Sequence, residues 1–143
     1  MYDINYFAVI VSAIAFFGLG ALWYTDILFG KAWRDSMGKT DAEFEKERAD
    51  ENMVKSFGLM FLSGLLMAIV TAHLVDLMAV VYPDSSDIMV GLQTGFWVWL
   101  GYIASYVLTS VAFEKRPWKY YFINTGYWLG GALLMGIILT VWK

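Results

Sequence analysis

The chain has 143 residues, of which 59% are hydrophobic and only 16% charged, and its formal net charge at pH 7 is −3. Soluble domains are nearer about 45–50% apolar and about 25% charged, so this composition excludes an ordinary soluble domain and a disordered chain. The sequence contains no cysteine, which excludes a disulfide scaffold and a thiolate metal site, and its mild acidity gives no reason to expect nucleic acid as a partner.

Four stretches of the chain contain no Asp, Glu, Lys or Arg. Each has about 20 residues or more, enough for a helix to cross a hydrocarbon core of about 30 Å. The length allows one domain, so the sequence predicts a single membrane domain over residues 1–143, an all-α transmembrane four-helix bundle. The predicted spans cover about residues 4–25, 54–81, 88–113 and 120–142.

The distribution of Lys and Arg predicts the topology of these spans. Six basic residues lie between the first and second spans and three between the third and fourth, whereas only Lys143 lies on the opposite side. The positive-inside rule therefore places both basic connections in the cytoplasm and both termini on the outer, periplasmic side. No basic residue precedes the first span, and its apolar run is long for a signal peptide, so we expect a retained helix.

The first connection is the only sizeable polar segment. Thr40 and Glu43 form a capping-box pattern, in which each side chain satisfies a free backbone amide at the start of a helix. No Gly or Pro follows between Asp41 and Lys55. The sequence therefore predicts that the second span begins near Asp41 with a polar helical extension over about 41–55, which we interpret as a solvated, charged helix.

Small residues recur at four-residue spacing on three of the spans, and such stripes let membrane helices pack closely. They favour a compact bundle, with one stripe available for a second protomer. The stripes are Gly64, Ala68 and Ala72; Gly91 and Gly95; Gly101, Ser105 and Thr109; and Gly126 with Gly130. Four aromatic residues lie deep in the third span, where core packing is the simpler interpretation and a groove for a flat or lipidic ligand the alternative. They are Trp97, Trp99, Tyr102 and Tyr106.

Polar residues within the spans form one candidate site. His73, the only histidine, precedes Asp76 by three residues and therefore lies beside it on a helix. We place three further polar residues at comparable depth: Ser12, Gln93 and Thr94. An ionisable residue within a span is a functional candidate, here for proton relay or cation binding. The structural alternative is a His–Asp hydrogen bond that joins helices, and the pair offers too few ligands for a structural zinc site.

A second candidate is a cytoplasmic cluster. The sequence places Glu114 beside Arg116, with which it can pair, and within possible reach of Lys31. Tryptophans can cover the basic side chains in cation–π contacts. Such a cluster can bind a phosphate, a lipid headgroup or a protein, or it can simply hold two loops against the bundle. Its members are Trp23, Lys31, Trp33, Glu114, Arg116, Trp118 and Asn124.

These same segments resemble a bacterial multi-pass membrane family known as domain of unknown function 1761. The resemblance covers nearly the whole chain and implies a small multi-pass bacterial membrane protein, but no activity. It rests on Gly20-Ala21-Leu22-Trp23-Tyr24, Leu28-Phe29-Gly30-Lys31-x-Trp33, Met37-Gly38-x-Thr40, Gly91-Leu92-Gln93-x-Gly95-Phe96-x-x-Trp99-Leu100-Gly101, Phe113-Glu114-x-Arg116-Pro117-Trp118-Lys119 and Ile123-Asn124-x-Gly126-Tyr127-Trp128.

The sequence gives little support to an enzyme, because it contains no recognisable nucleophile–base pair, metal-ligand set or phosphate loop. We therefore name no catalytic residue, metal or cofactor. Our hypothesis is an inner-membrane accessory or structural protein, surrounded by the lipid bilayer, that self-associates or docks in a larger assembly. The alternative is an oligomeric transport protein or a membrane protein that binds a small ligand or lipid.

Overall fold

The computed structural model describes residues 4–142, and every regular element in this range is a helix. Predictions that concern Met1, Tyr2, Asp3 and Lys143 lie outside the described residues. The helices are α1 (Tyr6–Trp23), α2 (Gly30–Ser36), α3 (Asp41–Asp50), α4 (Met53–Val81), α5 (Asp87–Val98), a π-helical segment (Trp99–Ala104), α6 (Ser105–Phe113) and α7 (Trp118–Val141).

Four helices in the described range are long and apolar enough to cross a membrane, which confirms the predicted all-α fold with four spans. They are α1, α4, α7 and the continuous stretch Asp87–Phe113, which we call the third span and which comprises α5, the π-helical segment and α6. The first and last described residues lie at the same end of the bundle, because the Asn5 side-chain amide donates to the backbone oxygen of Trp142 at 3.3 Å.

The fourth span, α7, lies at the centre of the packing. It contacts α1, α4 and the third span, and α1 also packs on α4. The side chains of Phe16, Val75 and Met135 are at most 1% exposed and form part of the core between α1, α4 and α7. The third span is the most peripheral. Only 6% of the residues in its most apolar 18-residue stretch are buried, compared with 44% for α7.

The predicted small-residue stripes pack as expected on α4 and α5. Ala68 and Ala72 are buried on α4. Gly91 of α5 lies so close to Gly136 of α7 that a Cβ added at either glycine would fall on the backbone of the other. Gly95 approaches the backbone of Ala132 in the same way. The absence of side chains at these crossings therefore sets the distance between the third and fourth spans.

The third stripe does not pack inside the bundle, because the π-helical segment changes the helical register. A regular α-helix would bring Gly101, Ser105 and Thr109 onto the face that carries Gly91 and Gly95. In the wider π turn, the next side chain after Trp99 that faces the bundle comes five residues later, at Ala104, which is 3% exposed. The three stripe residues are exposed, and a Cβ added at Gly101 meets nothing within 4 Å.

Most of the deep aromatic residues of the third span also face outward. Trp97, Tyr102 and Tyr106 are 59%, 77% and 74% exposed, so the expectation of core packing is wrong for these three side chains. Trp99 alone turns inward, where its indole N–H donates to the backbone oxygen of Thr125 at 2.7 Å. The register change accounts for Tyr102 and Tyr106, which lie in or after the π-helical segment, whereas Trp97 precedes it and lies on the exposed face of α5.

The polar segment before the second span is a separate helix and not an extension of it. The capping box at Thr40 and Glu43 is present and begins α3 as predicted. However, α3 ends at Asp50, and Glu51 has extended backbone angles. Asn52 then starts α4 by accepting a hydrogen bond from the backbone N–H of Lys55. Asn is among the residues that favour this capping position, which accounts for a break without Gly or Pro.

The Gly91–Gly136 crossing gives a test of the packing. We expect Gly91→Ala to lower the free energy of unfolding by about 1–3 kcal/mol, because the added methyl forces two backbones apart. The matched control is Gly18→Ala on the first span, where the methyl meets open space. Thermal unfolding of both purified variants in one detergent checks this, and equal midpoints for the two would contradict the proposed close approach.

Candidate functional site

The structure does not assemble the predicted intramembrane polar site. No hydrogen bond joins any two of its five side chains in the described chain: Ser12, His73, Asp76, Gln93 and Thr94. The His73 ring is exposed on α4, and its Nδ1 lies 2.8 Å from the backbone oxygen of Ile69, one turn earlier in the same helix. The predicted His73–Asp76 bond is therefore replaced by one within the helix.

The three remaining polar side chains also have separate surroundings. Thr94 is buried and donates to the Val90 oxygen of its own helix at 2.8 Å. Gln93 lines a shallow depression together with Tyr82 and Trp97, at the outer surface of the third span. Ser12 is fully buried, and its hydroxyl has no hydrogen-bond partner. These positions give no common cavity for a proton or a cation.

The predicted cytoplasmic cluster divides into two groups. Glu114 pairs with Arg116 at 3.6 Å, as the sequence suggested, and both side chains are substantially exposed. Trp118 lies nearby, where its ring contacts Tyr121 and Phe122. Lys31 does not reach Glu114; it is exposed and acts electrostatically on Asp26. An exposed ion pair of this kind contributes little stability, because water screens it.

The predicted cation–π contacts form with other rings. Arg34 lies over Phe44 with 5.5 Å to the ring centroid, and Arg116 lies over Tyr120 at 5.2 Å. Trp33, which we expected to cover a basic side chain, instead contacts the rings of Tyr24 and Phe44. The second group of the cluster, with Trp23, Trp33 and Asn124, is therefore part of an aromatic assembly at the junction of α1, α2 and α7.

Three side-chain hydrogen bonds join α1 to α7 at this junction, and we call them the α1–α7 seam. The Trp23 indole N–H donates to the backbone oxygen of Ile123 at 3.1 Å. The Tyr24 hydroxyl donates to the Asn124 side-chain oxygen at 2.8 Å. The third bond, 3.1 Å long, runs from the Tyr127 hydroxyl to the backbone oxygen of Phe16. These bonds hold one aromatic face of α7 beside the end of α1.

A tight turn after α1 returns the chain over this seam. The Gly30 N–H donates to the Thr25 oxygen at 2.8 Å, and the Phe29 N–H donates to the Trp23 oxygen at 3.1 Å. A Cβ on Gly30 would collide with the backbone of Tyr24 and Thr25, so this turn requires glycine. The turn sends α2 back across the end of α1 and brings Trp33 against Tyr24, with 5.1 Å between ring centroids.

The seam, α2, α3 and α4 together border a half-open cavity of about 640 Å³. Its volume lies within the range of about 300–1,000 Å³ that small-molecule sites occupy. The walls are regular helix faces. Alpha-helix spacing relates Phe16, Gly20 and Tyr24 on α1 and Met53, Phe57 and Met60 on α4, and α7 contributes Tyr127 and Trp128. We call this space the interfacial cavity.

The interfacial cavity is apolar at one end and charged at the other. Along α1 it extends over eight residues from Tyr24 to Phe16, which is about 12 Å of helix and nearly half of a hydrocarbon core. The charged end is formed by Arg34 of α2, by Phe44, Glu47 and Arg48 of α3, and by Glu51. Spacing of three and four residues places Phe44, Glu47 and Arg48 on one face of α3, and Glu51 directly follows its last residue.

Helix α3 has no buried residue and is held over the cavity mainly by its contacts with α2. Arg34 binds Asp26 at 2.6 Å and Asp41 at 3.5 Å. The hydrogen bond from Arg34 lowers the pKa of the Asp26 carboxyl, so this pair remains charged at neutral pH. Phe44 adds the contacts of its ring with Arg34 and Trp33.

Sequence reasoning missed the interfacial cavity, although one signal pointed to it. Phe44 is the only large apolar side chain in α3, which is otherwise small or charged. A lone aromatic residue in a polar helix indicates a contact, and here it marks the side of α3 that lines the cavity with Glu47 and Arg48. Several motif residues quoted for the family resemblance also line or brace the cavity, among them Gly20, Tyr24, Trp33 and Tyr127.

The fold defines the class of protein: an all-helical bundle with four helices that are long and apolar enough to span a membrane. The chain belongs to the family described as protein of unknown function (DUF1761), whose sequence model matches residues 7–140. The resemblance drawn from the motifs is thereby confirmed. Searches of curated proteins and of solved structures found no significant match.

Proposed function

We propose that this multi-pass membrane protein binds an amphiphilic small molecule in the interfacial cavity, which corresponds to the lipid-binding alternative of the sequence hypotheses. The observation that carries the proposal is the polarity of the cavity along its length. Phe16, Phe17 and Met60 line one end, whereas Arg34, Arg48 and Glu51 line the other. An amphiphile matches this arrangement because its apolar part and its polar headgroup lie at opposite ends.

The rigid walls of the cavity support the same proposal. Tyr24 and Tyr127 are held by the α1–α7 seam, so the aromatic wall is preformed and loses little conformational entropy on binding. Transport would instead depend on the intramembrane polar residues, and the structure does not gather these into one site. Binding therefore explains more of the observed geometry than transport does.

Filling the interfacial cavity tests this proposal. We expect the wild-type protein, purified in mild detergent and analysed by native mass spectrometry, to retain about one lipid-sized amphiphile per chain. Ala21→Phe places a ring in the cavity and should reduce this retention about tenfold, because the ligand and the ring compete for space. Gly18→Phe is the matched control, since Gly18 is on the same helix but outside the cavity. Equal retention in both variants would contradict the proposal.

We also propose that the charged end of the cavity faces the cytoplasm of a bacterial cell, with both termini outside its inner membrane. The excess of Lys and Arg in the first and third connections supports this orientation. The hydrogen bond between Asn5 and Trp142, at the two ends of the described chain, supports a topology with both ends on one side.

Because the chain has no cysteine, single-cysteine labelling tests the orientation without background. We expect a membrane-impermeant maleimide to label Asp84→Cys, in the second connection, in intact cells. Asp50→Cys, in the first connection, should react only after the cells are permeabilised, because the bilayer protects it. Both positions are exposed, so accessibility within the protein does not differ. The opposite pattern would invert the proposed orientation.

Self-association, as a structural or accessory protein, is a second candidate function that one observation favours. Gly101, Ser105 and Thr109 form a small-residue stripe that the π-helical segment turns away from the bundle. Such stripes allow close contact between membrane helices. A second copy of the chain, or another subunit of a membrane assembly, can pack there without disturbing the interfacial cavity.

A bulky residue in this stripe tests the second candidate. We expect Gly101→Leu to reduce the dimer fraction about threefold or more, because the leucine side chain prevents close helix contact. Analytical ultracentrifugation at several protein-to-detergent ratios measures that fraction. Gly18→Leu is the control, since an added Cβ also meets nothing within 4 Å at that position. A wild-type protein that is monomeric at every ratio would contradict self-association.

A further inference from the structure

The charged end of the interfacial cavity contains equal numbers of positive and negative side chains. Arg34 and Arg48 carry positive charge, and Glu47 and Glu51 carry negative charge. Two of these four groups are already neutralised by partners within the protein. Arg34 binds Asp26 and Asp41, and Glu47 accepts a hydrogen bond from Lys39 at 2.5 Å. Their charges are therefore not available to a ligand at full strength.

Arg48 and Glu51 remain. Within residues 4–142, the Arg48 side chain forms no ion pair or hydrogen bond. Glu51 accepts a hydrogen bond from the Ser56 hydroxyl, and no described cation pairs with it. Arg48 lies in the last turn of α3 and Glu51 is the residue that ends it, where the Glu51 backbone N–H donates to the Arg48 backbone oxygen at 3.3 Å. The cavity thus presents one guanidinium and one carboxylate side by side.

On the basis of the proposed function, we propose that the ligand is a zwitterionic phospholipid, with its phosphate on Arg48 and its ammonium group on Glu51. A guanidinium binds phosphate through parallel charge-assisted hydrogen bonds, and a carboxylate pairs with an ammonium group. The acyl region lies against Phe16, Phe17 and Met60. A headgroup with negative charge alone would leave Glu51 without a cation, and a cationic amphiphile would leave Arg48 without an anion.

The aromatic residues at this level fit the same ligand. Trp33 lines the cavity, and its ring contacts Tyr24 at the end of α1 and Phe44 at the charged end. Tryptophan is enriched at the boundary between hydrocarbon and headgroups, where the glycerol region of a phospholipid also lies. The lining thus runs from the apolar residues of α1 and α4 through the Trp33 ring to the charges of Arg48 and Glu51, which is the order of acyl chain, glycerol region and headgroup in a phospholipid.

Competition between defined lipids tests the headgroup. The purified full-length protein is placed in bilayer nanodiscs that contain equal amounts of phosphatidylethanolamine, phosphatidylcholine and phosphatidylglycerol with the same acyl chains. After extraction into mild detergent, native mass spectrometry identifies the retained lipid. We expect the two zwitterionic lipids to exceed phosphatidylglycerol by about fivefold or more. The ratio between the two distinguishes a primary from a quaternary ammonium group.

Charge variants then assign the two contacts. Arg48→Gln should lower retention of both zwitterionic lipids about tenfold, because the phosphate loses its guanidinium. Glu51→Lys should reverse the preference toward phosphatidylglycerol, since the ammonium partner is replaced by a second cation. Lys46→Gln and Glu45→Lys are matched controls, because both residues lie on α3 but outside the cavity. Both controls should retain the wild-type preference.

The outcomes separate this inference from the proposed function. If the wild-type protein retains lipid that Ala21→Phe excludes, but takes phosphatidylglycerol equally or preferentially, the cavity binds lipid and the zwitterionic assignment is wrong. The assignment also fails if the Lys46→Gln and Glu45→Lys controls change the preference as strongly as the two test variants. If neither the wild type nor Ala21→Phe retains any lipid, the proposed function itself is wrong.

Discussion

The structure depends on the α1–α7 seam more than on any other set of contacts. In lipid, apolar surface gives helices little reason to associate, so close packing and interhelical hydrogen bonds must hold them together. The seam supplies three such bonds, from Trp23, Tyr24 and Tyr127, and each crosses about 100 residues of sequence or more. With α7 fixed against α1, the aromatic wall of the interfacial cavity is determined.

The features that follow from composition and helix periodicity could be predicted from the sequence. Runs without charge gave the four spans, Thr40 and Glu43 gave the start of α3, and the spacing of Gly91 and Gly95 gave the packed face of α5. Each of these is a local property, because the same few neighbouring residues that carry the pattern also form the structure. Local patterns of this kind need no knowledge of which helices meet.

The candidate site could not be predicted in the same way, because it depends on contacts between distant elements. His73 and Asp76 are close in sequence, yet the His73 ring forms its hydrogen bond with the backbone oxygen of Ile69. Conversely, Phe16, Phe44 and Tyr127 come from three helices, and Phe44 lines the same cavity as the other two only because the turn at Gly30 directs α2 and α3 across the end of α1. The sequence did not predict the break at Asn52, because this one capping residue stands in a stretch that otherwise favours a continuous helix.

The π-helical segment has a consequence for how the third span can change. Its wide turn rotates the second half of the third span about the helix axis relative to the first half, so Gly95 packs inward while Gly101 does not. Removal of a single residue between Trp99 and Ala104 would shorten this step to four residues, the spacing of a uniform α-helix, and Ala104 would keep its packed position. Conversion of the π turn to α-helical turns with no residue removed would instead rotate the distal half by about 100° relative to α5. The third span can therefore present a different side of its distal half to its surroundings without any change of sequence.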